Sequence, residues 1–253
     1  MIKTSVVNIE SLEKIPSNEK RAPAGFRYGF IENLFDEEFY KKLVATFPDI
    51  KKFKLISKMS GGGHKRFYLG PEYTINRHGV CGCDLNDVST EWKKVFRICA
   101  SPKFINFLSE KTGVKCNSLC NFGFTYGNEG CHQECHIDGA VRADDPNETK
   151  ATLALLLYFH PDRSTIGGTC IYDIDRKTIV AQAGHLHNSS FYFEQHAEAW
   201  HGFPEMPSGK ERFLVSLTYS NEARPIKIDN SLFHRLTCKR NIKRVIKKFI
   251  RQT

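Results

Sequence analysis

The sequence predicts a mainly β domain with helices packed on its front, and three observations carry that prediction. Beyond Cys120 the chain breaks into short β-type runs, at 121–126, 151–159, 169–172, 177–181, 190–193 and 213–219, separated by Gly, Pro, Asp and Asn. Regularly spaced strands with turn signals build a sandwich or barrel and not a βαβ fold. Before Cys120, segments with helix-capping residues at their starts predict the helices. The 253 residues, with 19 Phe, 9 Tyr and 2 Trp, are enough to bury one large core, which excludes a disordered chain.

The elements follow in order. Residues 1–24 are polar, with Pro16, Ser17 and Pro23, and read as an N-terminal arm. Residues 25–34 (GFRYGFIENL) alternate aromatic and polar side chains, as a half-buried strand does. Asp36 caps a helix whose apolar face includes Phe39, Leu43 and Phe47, and Pro48 ends it. Ser60-Gly61-Gly62-Gly63-His64 reads as a flexible loop; it is no phosphate cradle, because no GK[ST] follows it. A helix is expected from Ser89 to Ile98. Another starts at Ser101-Pro102, with proline in its first turn, and stops before Gly113. No internal repeat is visible, so the chain divides into the arm, one domain over 25–221 and a basic tail over 222–253.

Charge is concentrated in that tail. The net charge is +9, and residues 220–253 hold ten Lys/Arg against two acids, so the rest of the chain is nearly neutral. A high isoelectric point therefore does not make the whole protein a nucleic-acid binder. Within the tail, Ile242, Val245, Ile246, Phe249 and Ile250 fall on one helical stripe, and Lys239, Arg240, Lys243, Arg244, Lys247, Lys248 and Arg251 fill the other face. Such a basic amphipathic helix either docks on the body or lies on an anionic membrane surface, where apolar burial and charge attraction add. No apolar run reaches the 18 residues of a membrane span. With no secretory signal evident, the expected location is cytoplasmic, peripheral at the membrane if the tail binds lipid. The nine cysteines then read as reduced thiols. The pairs Cys116/Cys120 and Cys131/Cys135 leave a zinc site open as an alternative.

The chemistry-bearing stretch runs from Tyr126 to Gly139 and contains His136-Ile137-Asp138. In an extended segment, residues i and i+2 share a side, so an imidazole and a carboxylate face a common point. A second histidine would complete the two-histidine, one-carboxylate set that suits non-haem iron. His201 can supply it from a facing strand. His132 and His196 are the competing choices, and His185 and His187 read as rim histidines. Arg212 opens the run FLVSLTY, in which Phe213, Val215, Leu217 and Tyr219 alternate. It therefore points to the side opposite that apolar set. A guanidinium directed into a barrel needs an anionic partner, and a carboxylate held by two hydrogen bonds is the natural one.

His136-x-Asp138, His201 and Arg212 together resemble the iron(II)/2-oxoglutarate-dependent dioxygenases, and within them the prolyl 4-hydroxylase-like branch. Tyr126 and Gly130 before the motif, the run 151–159 followed by Gly167-Gly168-Thr169, and Gly184, Phe191 and Phe193 before His201 agree with that branch. The resemblance covers 120–219 well and 25–110 in outline. It implies a double-stranded β-helix, or jelly roll, with N-terminal helices packed on it. It further implies His136, Asp138 and His201 as iron ligands, Arg212 as the residue binding the distal carboxylate of 2-oxoglutarate, and Tyr126 as a further hydrogen-bond donor to that co-substrate. The implied cofactors are Fe(II), 2-oxoglutarate and O2, with ascorbate as reductant. The implied reaction couples decarboxylation to succinate with hydroxylation of an unactivated C–H bond.

The resemblance leaves the primary substrate open among a small molecule, a lipid-linked or cell-envelope glycan, and a protein residue of the prolyl type. A nucleic-acid dealkylating relative normally carries a second arginine six residues after the first; position 218 is Thr. A catalytically inactive, cupin-like metal-binding module is the alternative from another class, and it gives an inward Arg212 no task.

Overall fold

In the computed structural model, the described residues are 20–59, 62–69, 74–76, 79–81, 88–138 and 151–222. The chain starts with β1 (Lys20–Arg21) and β2 (Arg27–Glu32), then α1 (Glu37–Ala45) and a 3-10 turn at Ile50–Lys52. A hairpin of β3 (Lys54–Met59) and β4 (Gly62–Tyr68) and a small pair, β5 (Thr74–Asn76) and β6 (Gly79–Cys81), come next. Two helices follow, α2 (Thr90–Cys99) and α3 (Pro102–Thr112). The remainder is β: β7 (Ser118–Gly127), β8 (His132–His136), β9 (Ala151–Tyr158), β10 (Cys170–Tyr172), β11 (Ile179–Gln182), β12 (Ser189–Glu194), β13 (His201–Phe203) and β14 (Arg212–Ser220).

Local chemistry sets the helix ends. Asp36 caps α1, its carboxylate accepting from the backbone N–H of Glu38 and Phe39 at 3.1 and 3.2 Å. Ser89 and Ser101 cap α2 and α3 through Trp92 and Phe104 N–H, and Gly113 ends α3 in the left-handed region at φ 65°. Each such cap is worth about 1 kcal/mol. Of the loop expected at Ser60–His64, residues 62–64 are strand instead, and 60 and 61 lie outside the described residues. Residues 62–68 form β4, because pairing with β3 and β7 satisfies a backbone that its glycines left undecided.

One antiparallel sheet carries almost everything, in the order β1-β2-β12-β9-β14-β7-β4-β8-β13-β10-β11, with β3 on β4. Strand β4 is where it folds over. Phe67 and Tyr68 pair with β7, whereas His64 and Lys65 pair with β8. The run β2-β12-β9-β14-β7 thus becomes one wall and β8-β13-β10-β11 the other, which is the layout of a double-stranded β-helix. The expected jelly roll with helices in front is what the chain forms.

Alternation along the central strands divides the molecule into two interiors. On β9, Leu153, Leu155 and Leu157 join Trp92, Phe96 and Leu108 in a core shared with the helices. Ala154, Leu156 and Tyr158, on the opposite face, join Phe191, Phe193 and Leu214 between the walls. That double burial explains why 151–158 reads as an unbroken apolar run. Each fully buried Leu or Phe contributes roughly 1.5–3 kcal/mol. Among the described residues no helix is long and apolar enough to cross a membrane. The 1–19 part of the arm and the expected tail helix lie outside the described residues.

Candidate active site

The two walls converge at His136 and His201. His136 ends β8, His201 opens β13, and the two residues lie opposite each other in the β8–β13 ladder. Gly202 makes the approach possible, since a Cβ there would collide with the backbone of Gln133. Asp138 follows two residues after His136. One ligand atom each from His136, Asp138 and His201 lies within 4.8 Å of the others, and among the described residues this is the one group of three or more His, Cys, Asp or Glu so arranged.

Each histidine is held in one tautomer. Nδ1 of His136 donates to the carbonyl of Glu134 and Nδ1 of His201 to that of Ala199, both at 2.9 Å. The Nε2 lone pairs are therefore the ones presented to the centre, and each lies 3.5 Å from Asp138 Oδ1. Backbone carbonyls in this position are the usual orienting partners of metal-binding imidazoles. Gln133 Nε2, 2.9 Å from His136 Nε2, donates to that lone pair. Burial lowers the His136 pKa, favouring the neutral ring that a metal requires. Burial opposes ionisation of Asp138, but its two histidine neighbours, His201 foremost, prevail and hold its carboxyl well below the usual range.

Asp138, His201, Gln133 and Phe193 line a cavity of ≈ 350 Å³ that also reaches Arg212, Thr169, Thr125 and Leu214. Arg212 opens β14 and is 2 % exposed. Alternation places it with Leu214, Ser216 and Thr218 on the cavity side, and Phe213, Val215, Leu217 and Tyr219 on the other, as its position in the run predicts. Its Nε donates to the Gly167 carbonyl at 2.6 Å and one Nη to Thr169 Oγ1 at 3.1 Å, while the guanidinium lies over the Phe203 ring at 4.2 Å. Gly167 needs its glycine: φ is 85°, and a Cβ would meet Met206 Sδ at 2.6 Å. Among the described residues no carboxylate answers the charge. Arg212 Nη1 is buried with no hydrogen-bond partner, and so is Thr125 Oγ1. Arg66, half-buried on β4, lines the same cavity.

Tyr126 is the correction. It precedes Gly127, the residue opposite Arg212, and so falls on the other face of β7. Its ring packs against Phe67 and Phe213, and its hydroxyl donates to Glu211 Oε1 at 2.6 Å. Thr125, one residue earlier, faces the cavity in its place. The competing histidines are elsewhere: His196 stacks on Phe26, and His132 opens β8 with its Nδ1 3.1 Å from the Gly130 carbonyl oxygen, while His185, expected at the rim, lies beside Glu32 and Arg163. Cys131 is buried with Phe203 and Met206. Gln133, Gln195 and Thr169 are site residues that the sequence reading missed. Only the double glycine before Thr169 hinted at any of them.

No family model and no curated protein matches the sequence. Solved structures do match the fold. A Pseudomonas putida prolyl-4-hydroxylase superposes with a TM-score of 0.56 at 11% identity, over 83% of this chain and 99% of that one. An oxidoreductase of the 2OG-Fe(II) oxygenase family from Burkholderia pseudomallei gives 0.56 at 8% identity, over 79% and 88%. With its two facing walls and helices in front, the chain has the fold of these 2-oxoglutarate/iron(II) oxygenases.

Proposed function

We propose that the protein is a 2-oxoglutarate-dependent, non-haem iron dioxygenase that hydroxylates an unactivated C–H bond. One observation carries the reading: Arg212 is buried in the cavity of the His136–Asp138–His201 cluster with Nη1 lacking a partner. An unanswered buried guanidinium is costly, and the distal carboxylate of 2-oxoglutarate is the anion that this arrangement lacks. A cupin-like module without a co-substrate leaves that charge unexplained.

The residues fit the metal. Two neutral imidazoles and one carboxylate form the donor set of non-haem iron(II) oxygenases, and orienting hydrogen bonds are in place. Iron(II) held by His136, Asp138 and His201 supplies the redox chemistry that couples O2 and 2-oxoglutarate to oxidation of the substrate. The chain supplies the placement. Arg212 and Thr169 fix the far end of the co-substrate. Phe193, Leu156 and Leu214 wall the cavity with apolar surface that keeps water from it. Arg66 adds positive potential that suits a dianion.

Asn121, Thr125, Ser216 and Thr218 make the β7–β14 face of the cavity polar, which supports a polar substrate, a hydroxylated small molecule or a glycan, over a hydrocarbon. A lipid-linked glycan accords with the basic tail pattern. Fold likeness to a prolyl-4-hydroxylase supports a protein residue as the second reading. The test is conversion of 2-oxoglutarate to succinate with added iron(II) and ascorbate, with and without candidate substrates. Absence of 2-oxoglutarate binding at millimolar concentration would sink the proposal.

A further inference from the structure

The two oxygens of Asp138 have different surroundings. Oδ1 lies 3.5 Å from Nε2 of each histidine, whereas Oδ2 accepts a hydrogen bond from Gln195 Nε2 at 2.7 Å. Gln195 directly follows β12, is 8% exposed, and is anchored by its own N–H, which donates to the Thr152 carbonyl at 2.8 Å. Its amide Oε1 is buried with no hydrogen-bond partner. Leaving half of a buried amide unsatisfied costs stability, so folding alone does not account for a glutamine here. Among the described residues it is the one hydrogen-bond donor to Oδ2.

We propose that Gln195 is a positioning residue that restricts Asp138 to ligation through Oδ1 alone. A carboxylate can grip one metal ion with one oxygen or with both. With one, three protein atoms leave three positions of an octahedral ion, the number that a chelating 2-oxo acid and O2 need together. With both, one of those positions is lost. A donor fixed on Oδ2 draws on that oxygen's lone pair and weakens it as a second ligand, leaving Oδ1 to bind alone. This inference rests on the proposed co-substrate, and it concerns the number of open positions, not the identity of the substrate.

Cobalt(II), which does not turn over, is the probe. Wild type, Gln195→Met and Gln195→Asn are titrated with cobalt(II), and the loaded proteins are then titrated with 2-oxoglutarate, with the visible cobalt spectrum recorded at each stage. Methionine removes the donor at similar volume, and asparagine keeps a buried amide but withdraws it by one methylene. Both variants should bind cobalt at least as tightly as wild type, with a changed spectrum, while 2-oxoglutarate affinity of the loaded protein falls about tenfold. A partner that merely orients the ligand would act the other way, lowering metal affinity by roughly 10–100-fold. That pattern, or unchanged 2-oxoglutarate affinity in both variants, overturns the proposal alone. Wild-type protein that binds cobalt but not 2-oxoglutarate overturns the functional reading and this proposal with it.

Discussion

His136 and His201 face each other across the β8–β13 ladder with ring centroids 4.2 Å apart, although 65 positions separate them in the chain. Both are anchored by backbone carbonyls within their own segments. Strand pairing and local backbone hydrogen bonds thus bring the two imidazoles together.

His136→Ala, Asp138→Ala and His201→Ala should each abolish metal binding and turnover while the circular dichroism of the metal-free protein stays that of wild type. The side chains converge at the edge of a core built elsewhere, around Trp92, Leu155 and Phe159. Retention of metal by His201→Ala, with its loss in His196→Ala, would show that the wrong histidine is assigned.

Arg212→Ala should raise the 2-oxoglutarate requirement by tenfold or more, since hydrogen bonds to a charged group are worth about 1.5–3 kcal/mol each. Arg212→Lys should recover part of the loss, because lysine keeps the charge without the fork. Steady-state KM for 2-oxoglutarate measures both. An unaltered KM in Arg212→Ala would remove the residue from the co-substrate site.

Tyr126→Phe should leave 2-oxoglutarate affinity unchanged. The hydroxyl it deletes is engaged by Glu211 on the far face of β7, so the expected effect is a loss of about 1 kcal/mol of stability, read from urea unfolding. A drop in co-substrate affinity instead would put Tyr126 back at the cavity.

Metal affinity should fall in acidic solution, as protons compete with the metal for histidine nitrogen, whose ordinary pKa is ~6.5. Because burial lowers the His136 pKa, its part of that loss begins below the ordinary value. Asp138, held well below the usual carboxylate range, stays ionised throughout that window. Titration with manganese(II) between pH 5 and 8 reports the profile; a loss of affinity setting in above pH ~7.5 would contradict it.

The tail can be tested without reference to the active site. Full-length protein should sediment with anionic vesicles at low salt, and a truncation at Thr237 should stay in the supernatant, if the basic amphipathic stripe lies on membrane. Equal recovery of both forms in the supernatant leaves the docked helix.

The sequence by itself determined the helix starts at Asp36, Ser89 and Ser101, whose capping chemistry is local. It also determined the inward side of Arg212, since alternation within one strand is independent of the partner. The pairing of His136 with His201 and not with His196 belongs to the tertiary structure, because it depends on the register of β13 against β8. The same holds for β4, whose glycine-rich start has no pattern of its own and becomes strand only between its neighbours. Tyr126, which the resemblance implied at the co-substrate, lies on a strand where parity alone does not choose the face. Both faces of β7 are covered, one by helices and one by the cavity, so an aromatic residue is at home on either. Only the opposition of Gly127 to Arg212 decides that Thr125 faces the cavity and Tyr126 the helices. Gln195 left no trace in sequence, because its bond to Asp138 spans 57 positions and exists only once β12 is laid along β9 and the walls have closed.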